Sequence, residues 1–394
     1  MDIDKHLFII LASYSSNALG QIRSLGEKGI KPIVVLTHKS TFRIDKSKYI
    51  LKLYDVNSFN EGLDLIIQKY KDSENKPFIY TDCDEVMGII DKRYDELKDN
   101  FFIWNAGGPC RLAHFMEKGV QLTLAKECGM NVPKTEIVRV GCLPHSLNYP
   151  IFTKATDSYS NIWWKANSYI CHNEIELKKA YSKMDIESIV LQEYIIKKDE
   201  TPIEGISING GDDIFLFGQT KNYRMSPKSY GTFRYLDEFK DNTIYSQIKK
   251  FIKKVAYTGA FEVEFIIDQN GIPYFLEVNF RISQPNYAFT AFGANIPYIY
   301  AKSILNNKIA TEEIHYITKK PFNLMYEFED FKFSILLQNI SLKKWVKDLR
   351  HCDVFLYFNK KDQMPFIYTI FSKILLFFKN KIRIKFNQKQ TNLL

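Results

Sequence analysis

The 394-residue chain has no cysteine pair at C-x-x-C spacing, no internal repeat, no low-complexity block and no apolar run of membrane-spanning length. Its six cysteines (Cys83, Cys110, Cys128, Cys142, Cys171, Cys352) are scattered, which argues against a disulfide framework or a zinc site and makes reduced cytoplasm the expected setting. The opening MDIDKHLFIILASYSSNALGQ has too short an apolar run, and acids too early, for a secretory signal. The loop from Ala12 to Gly20 lacks G-x-G-x-x-G, which disfavours a dinucleotide-dependent oxidoreductase. Also missing are a G-x-S-x-G elbow, an H-E-x-x-H helix and any close pairing among the seven His, so no protein nucleophile is indicated.

Surplus charge is missing from the body of the chain as well. From Ser341 onward twelve Lys or Arg stand against three Asp, which accounts for the whole net charge of +9 and leaves 42 basic and 42 acidic residues before it. A nucleic-acid-binding body would need a basic face, so no nucleic-acid partner is expected. What remains is an ordinary globular composition, 45% hydrophobic and 25% charged, long enough for two or three domains.

The first third reads as a beta-alpha-beta opening. His6 to Leu11 and Lys31 to Leu36 are strands around the amphipathic Leu19 to Lys28; Glu61 to Tyr70 and Pro77 to Tyr80 repeat the helix-strand order. Asp82, Asp84 and Glu85 follow at the carboxyl end of that strand, the edge where open parallel sheets take ligands.

The densest chemical signal is Phe261 to Arg281, FEVEFIIDQNGIPYFLEVNFR, two strands joined at Asn270-Gly271. Alternation puts Phe275, Glu277, Asn279 and Arg281 on one face of the second strand, with Tyr274, Leu276, Val278 and Phe280 on the other. Glu264 on the first strand then approaches Glu277 and Asn279. Facing carboxylates repel unless a cation lies between them. Two carboxylates and an amide carbonyl are hard oxygen ligands that suit Mg2+ or Mn2+. A half-exposed hairpin with incidental acids is the competing reading.

Glu264 followed by Glu277-Val278-Asn279-Phe280-Arg281 resembles the metal-binding signature of the ATP-grasp superfamily, which includes biotin carboxylase and D-alanine-D-alanine ligase. The resemblance spans roughly residues 5 to 310. It implies an α/β chain: an N-terminal open parallel sheet (1–112, Rossmann-like, pre-ATP-grasp), an α+β ATP-grasp domain (113–310) whose antiparallel sheets clamp ATP in lobes 113–190 and 191–310, and a C-terminal extension (311–394). Ser47-Lys48-Tyr49 sits where relatives often carry S-R-Y.

By the same resemblance, Glu264, Glu277 and Asn279 hold magnesium, and Arg281 lies beside the reacting phosphoryl and acyl groups. Lys118 and Lys154 reach the nucleotide phosphates. Gln192 or Glu193 faces the adenine amino group, the Ile195 amide a ring nitrogen, and Asp199 or Glu200 the ribose. The loop 157–166 departs from glycine-rich relatives: it has no glycine, and Lys165-Ala166 resembles a D-aspartate-ligase-like branch in which a lysine closes over the triphosphate. Lys221 and Arg224 stand where relatives place basic residues near phosphate or substrate carboxylate, and Ser283 and Gln284 where the acceptor site is lined.

The implied activity is an ADP-forming, ATP-dependent carboxylate-amine ligase: a small-molecule carboxylate becomes an acylphosphate, which an amine then attacks. A non-catalytic nucleotide-binding protein on the same fold is the alternative. In the tail, Ile367, Ile370, Phe371, Ile374, Leu375 and Phe378 share one helical face, with Lys379, Lys381, Arg383 and Lys385 beyond. The segment 366–386 either packs on the body or lies on an anionic membrane, the latter fitting a cell-envelope precursor as substrate. Oligomeric state stays open, a homodimer included.

Overall fold

The computed structural model describes residues 2–154, 168–226, 230–318, 320–337 and 340–376. β1 (Phe8–Ser13), β2 (Ile33–Thr37), β3 (Lys52–Asp55) and β4 (Phe78–Thr81) form a parallel sheet in the order β3-β2-β1-β4. β1, β2 and β4 are apolar and buried almost throughout, as strands covered by helices on both faces must be. The helices Ser16–Glu27 and Phe59–Tyr70 start on Ser15 and Ser58, whose side chains accept from Ala18 N and Glu61 N; such caps contribute about 1 kcal/mol each. β3 is an edge strand that periodicity does not announce, because its four residues are exposed or half-buried.

A second, antiparallel sheet contains β5 (Thr135–Arg139), β6 (Ile151–Lys154), β7 (Ile170–Cys171) and β8 (Ser188–Glu193) in the order β5-β8-β6-β7. The third is the largest: β9 (Lys197–Ile208), β10 (Asp213–Met225), β11 (Gly231–Asp237), β12 (Gly259–Asp268), β13 (Pro273–Asn279), β14 (Phe322–Met325) and β15 (Val354–Phe355). Its order is β13-β12-β9-β10-β11-β14-β15, antiparallel except for the parallel β14–β15 pair. The Gly210-Gly211 turn between β9 and β10 has φ of 62° and 83°, which glycine adopts at little cost. β8 runs across the expected lobe boundary at 190/191.

The expected C-terminal extension is sewn into this body. β14 pairs with β11, so the large sheet crosses the boundary drawn at 311. Arg23 in the first helix is fully buried; its Nε meets Asp362 at 3.1 Å, and its Nη2 donates to the Tyr357 and Asp362 carbonyls at 2.9 and 3.0 Å. Asp362 also accepts from Ser47 Oγ at 2.9 Å and Lys48 N at 3.0 Å, which gives the Ser47-Lys48-Tyr49 segment a structural role.

The last described helix, 364–376, stacks Phe366 on Phe328 at 5.5 Å and accepts at Thr369 Oγ1 from Arg43 N at 3.0 Å. Ile367 and Ile370 are half-buried, while Phe371, Ile374 and Leu375 are exposed; Phe378 and the basic residues beyond it lie outside the described residues. Among the described residues no helix is long and apolar enough to cross a membrane.

Removing one partner of a buried ion pair strands the other. Asp362→Ala is therefore expected to lower stability by about 3–5 kcal/mol, read as a shift in the urea unfolding midpoint; a change below ~1 kcal/mol would show that the Arg23 cluster is dispensable.

Candidate functional site

β12 and β13 set the centre of the site. Register pairs Glu264 with Glu277 and Glu262 with Asn279, and Asn279 Nδ2 donates to Glu264 Oε1 at 2.8 Å and Glu262 Oε2 at 3.3 Å. The expected alternation fails at one residue. Phe265 pairs with Phe275, so Leu276 is the extra residue of a β-bulge. The bulge turns Phe275 away from the acids into the core, fully buried against Phe251 and Phe265, and brings Leu276 to the cavity beside Glu277. The expected placement of Phe275 with Glu277, and of Leu276 opposite them, is corrected accordingly.

β13 is an edge strand, and a helix covers its edge. Gln121, in the helix Lys118–Glu127, accepts from Val278 N at 2.8 Å and donates to Val278 O at 3.0 Å. This clamp sets Lys118 against Glu277, Nζ to Oε2 at 3.1 Å.

The cavity, about 670 Å³, lies between the two antiparallel sheets. Phe152 and Lys154 enter from β6, Gln192 and Glu193 from β8, and Glu200, Glu262, Glu264, Glu277 and Asn279 from the facing sheet. Lys118, Ile195, Arg281, Ser283 and Gln284 line it too. Gln192 Nε2 donates to Thr135 Oγ1 at 3.1 Å, and Glu200 accepts from Lys197 at 2.7 Å. Asp199 is outside the lining and accepts from Asn222 Nδ2 at 2.6 Å, so Glu200 is the better placed of the two ribose candidates.

Three expected residues stand apart. Arg224 pairs with Asp330 at 2.7 Å and also with Asp348, tying β10 to the C-terminal segment rather than to the cavity. Its place in a basic motif carries no information about those acids, more than a hundred residues away in sequence. Lys221, opposite Tyr235 in the register, is absent from the lining. Lys165 and its loop lie outside the described residues.

Sequence reasoning missed Glu262, Glu204 and Arg234. Glu262 was legible, since F-E-V-E-F alternates it onto the same face as Glu264. Glu204 enters only through the register, opposite Glu262 on β9, where Ser283 Oγ donates to it. Arg234 is buried on β11, bonded to Thr220 Oγ1 at 3.2 Å. Asp84 does reach the site: it accepts from Arg281 Nε at 2.9 Å and joins the parallel sheet to the acids.

The carboxylates are too crowded to be ionised together. Burial and the neighbouring Glu204 push Glu262 up to about 8; burial raises Glu204 to about 8 and, with the charges of Glu262 and Glu277, holds Glu264 well above the usual range. Glu277 goes the other way, because Lys118 and Lys154 outweigh its burial. Among the described residues no three His, Cys, Asp or Glu are arranged to hold a metal ion by themselves. Glu264 and Glu277, facing each other across the strand pair, nevertheless suit a hard divalent ion that would take its other ligands from phosphate and water, whereas Asn279 turns its Nδ2 toward Glu264 and its Oδ1 accepts from Arg281 Nη2 at 3.4 Å.

No protein-family model matches the sequence, and no curated protein matches it. Solved structures do. An L-amino acid ligase from Bacillus licheniformis matches with a TM-score of 0.59 at 15% identity, over 76% of this chain and 74% of that one. A biotin carboxylase from Campylobacter jejuni matches at 0.57 and 17%, over 80% and 73%. An N5-carboxyaminoimidazole synthetase from Staphylococcus aureus matches at 0.55 and 17%, over 73% and 74%. The fold is ATP-grasp. At such identities the likeness is one of architecture, and the cavity of this chain is described by its own residues.

Lys154 supplies a test. Burial, followed by the charge of Lys118, presses its ammonium down from 10.5 to about 7, against Glu277, Glu264 and Glu200. Below pH 7 the folded state carries the cost of a buried ammonium; from about 7 to 10.5 the unfolded chain binds the extra proton, so this contribution to stability improves as pH rises. Lys154→Met is expected to flatten that rise in pH-dependent chemical denaturation. Tripolyphosphate binding at pH 8 should take up protons in wild type but fewer in the variant, by calorimetry in buffers of different ionisation heat; equal uptake would detach Lys154 from the anion site.

Proposed function

We propose that the protein is an ATP-dependent carboxylate-amine ligase, ADP-forming, that activates an amino-acid or peptide-like carboxylate as an acylphosphate and joins it to an amine. One observation carries this reading: Glu264, Glu277 and Asn279 share one wall of a cavity whose other walls bring Lys154 and Lys118 toward them. The ATP-grasp fold supports it, as do solved structures of this fold described as complexes with ADP or with MgADP.

The chemistry asked of the chain is charge control. A carboxylate and a triphosphate repel by several kcal/mol at contact in a half-buried site, about 4 kcal/mol per unit pair at 4 Å. A divalent ion, when bound, supplies Lewis acidity and offsets that repulsion. Glu264, Glu277 and Asn279 would hold it. Lys154 and Lys118 meet phosphate oxygens, and each lysine that contacts phosphate lowers the barrier to in-line attack by the carboxylate. Arg281, fixed by Asp84 at 2.9 Å, has its place beside the acyl group. The purine would lie along Gln192, Glu193 and Ile195 at the end of β8, with Glu200 toward the ribose. Attack by the amine expels phosphate and leaves the amide. The D-aspartate-ligase-like branch rests on Lys165 and Ala166, outside the described residues.

Glu277→Gln keeps the shape and one oxygen but loses the charge. Carboxylate-dependent ADP formation is expected to fall by about a hundredfold in a variant that still folds, checked by circular dichroism. Wild-type turnover in this variant would remove Glu277 from the metal site.

A further inference from the structure

The cavity does not end at the metal-binding acids. Its lining also includes Ser283, Gln284, Arg234, Tyr326 and Glu329, the last two from the C-terminal segment joined to the sheet through β14. Tyr326 is only 1% exposed, yet its Oη has no hydrogen-bond partner among the described residues, and the same holds for Glu329 Oε2. An acceptor or hydroxyl buried without a partner is destabilising, so two such atoms on residues that line one cavity call for a ligand.

Both groups are held in place by other bonds. Glu329 Oε1 accepts from Tyr357 Oη at 2.8 Å, which fixes the carboxylate and leaves Oε2 over. The Tyr326 ring lies 5.2 Å from the Arg234 guanidinium, and its backbone N donates to Thr232 O at 2.8 Å. The charges of Lys373 and Lys332 reach Glu329, but its Oε2 accepts no hydrogen bond from either. A carboxylate oxygen can only accept, and a phenol can accept as well as donate. The complementary group is a multiple N–H donor of positive charge.

We infer that Tyr326 and Glu329 seat the second substrate of the reaction, and that they select a small molecule that arrives as a primary ammonium, loses one proton to solvent to become the attacking amine, and passes a second to the departing phosphate. This rests on the ligase reading and names the class of its second substrate. The two residues act as specificity determinants, separate from the phosphate-binding lysines and the metal-binding acids. Two sources share the chemistry: an amino acid, which also carries a carboxylate, and a diamine, which does not.

The test uses the full chain and two conservative variants, Glu329→Gln and Tyr326→Phe. Thermal shift and calorimetry are run, with and without MgATP, against glycine, L-alanine, L-lysine, ethylenediamine and putrescine, together with their N-trimethylated counterparts, which keep the charge but lack N–H donors. Wild type is expected to bind at least one ammonium, and the trimethylated counterpart at least tenfold more weakly. Glu329→Gln should weaken the ammonium at least tenfold and Tyr326→Phe by a smaller factor, both with MgATP affinity within twofold of wild type. Which member binds separates amino acid from diamine. The inference is overturned if no ammonium of the set binds wild type, if the variants bind it unchanged, or if the trimethylated form binds equally well. Loss of MgATP binding in wild type would instead count against the ligase reading, since the amine titration without nucleotide is read independently.

Discussion

Electrostatic repulsion among carboxylates on neighbouring strands is the constraint on which the rest of the site depends. Glu264 faces Glu277, Glu262 faces Asn279, and Glu204 lies opposite Glu262 on the next strand. In water these groups would separate; in a sheet they cannot, because the ladder of backbone hydrogen bonds fixes them a few ångströms apart. The chain answers with cations of its own: Lys118 and Lys154 hold Glu277 down, while burial and crowding push Glu262 and Glu264 up. A set poised in this way gains most from a divalent ion.

Around that centre the chain holds its geometry by bonds between distant segments. Gln121 clamps the edge strand and so places Lys118, and Asp84 holds Arg281 from the parallel sheet. Asn17 donates to Ile282 O at 2.8 Å and accepts from Asn286 Nδ2 at 2.9 Å, which docks the first helix on the segment that follows Arg281. The Arg23–Asp362 pair does the same for the C-terminal segment. For the proposed ligase such pre-organisation would matter, because electrostatic stabilisation of a transition state works only where the charges need not move to meet it.

Much of this was legible in the residues, and the misses have physical causes. The acid-turn-acid hairpin showed through its period of two and its Asn-Gly turn. The bulge at Leu276 did not, because an extra residue in one strand leaves no mark on composition and reverses the face of everything before it. Arg224 was read by its neighbours in the chain, whereas Asp330 and Asp348 claim it in space. Glu204 and Arg234 sit in strands whose pairing is long-range, and Tyr326 and Glu329 come from a segment that looked like an appendage. The ATP-grasp resemblance rested on a short signature, Glu264 followed by Glu277, Asn279 and Arg281.

What the amino-acid order determined alone is the local chemistry: which strands alternate, where the turns fall, that hard oxygen ligands recur at hairpin spacing, and that no nucleophile or dinucleotide loop competes with them. Those properties arise from contacts within a few residues. Tertiary structure decided which acids share the cavity, which lysines answer them, and that the segment after β14 adds to its lining Tyr326 and Glu329, whose Oη and Oε2 have no partner among the described residues. These follow from strand order and register, quantities set by the balance of burial and repulsion over the whole chain.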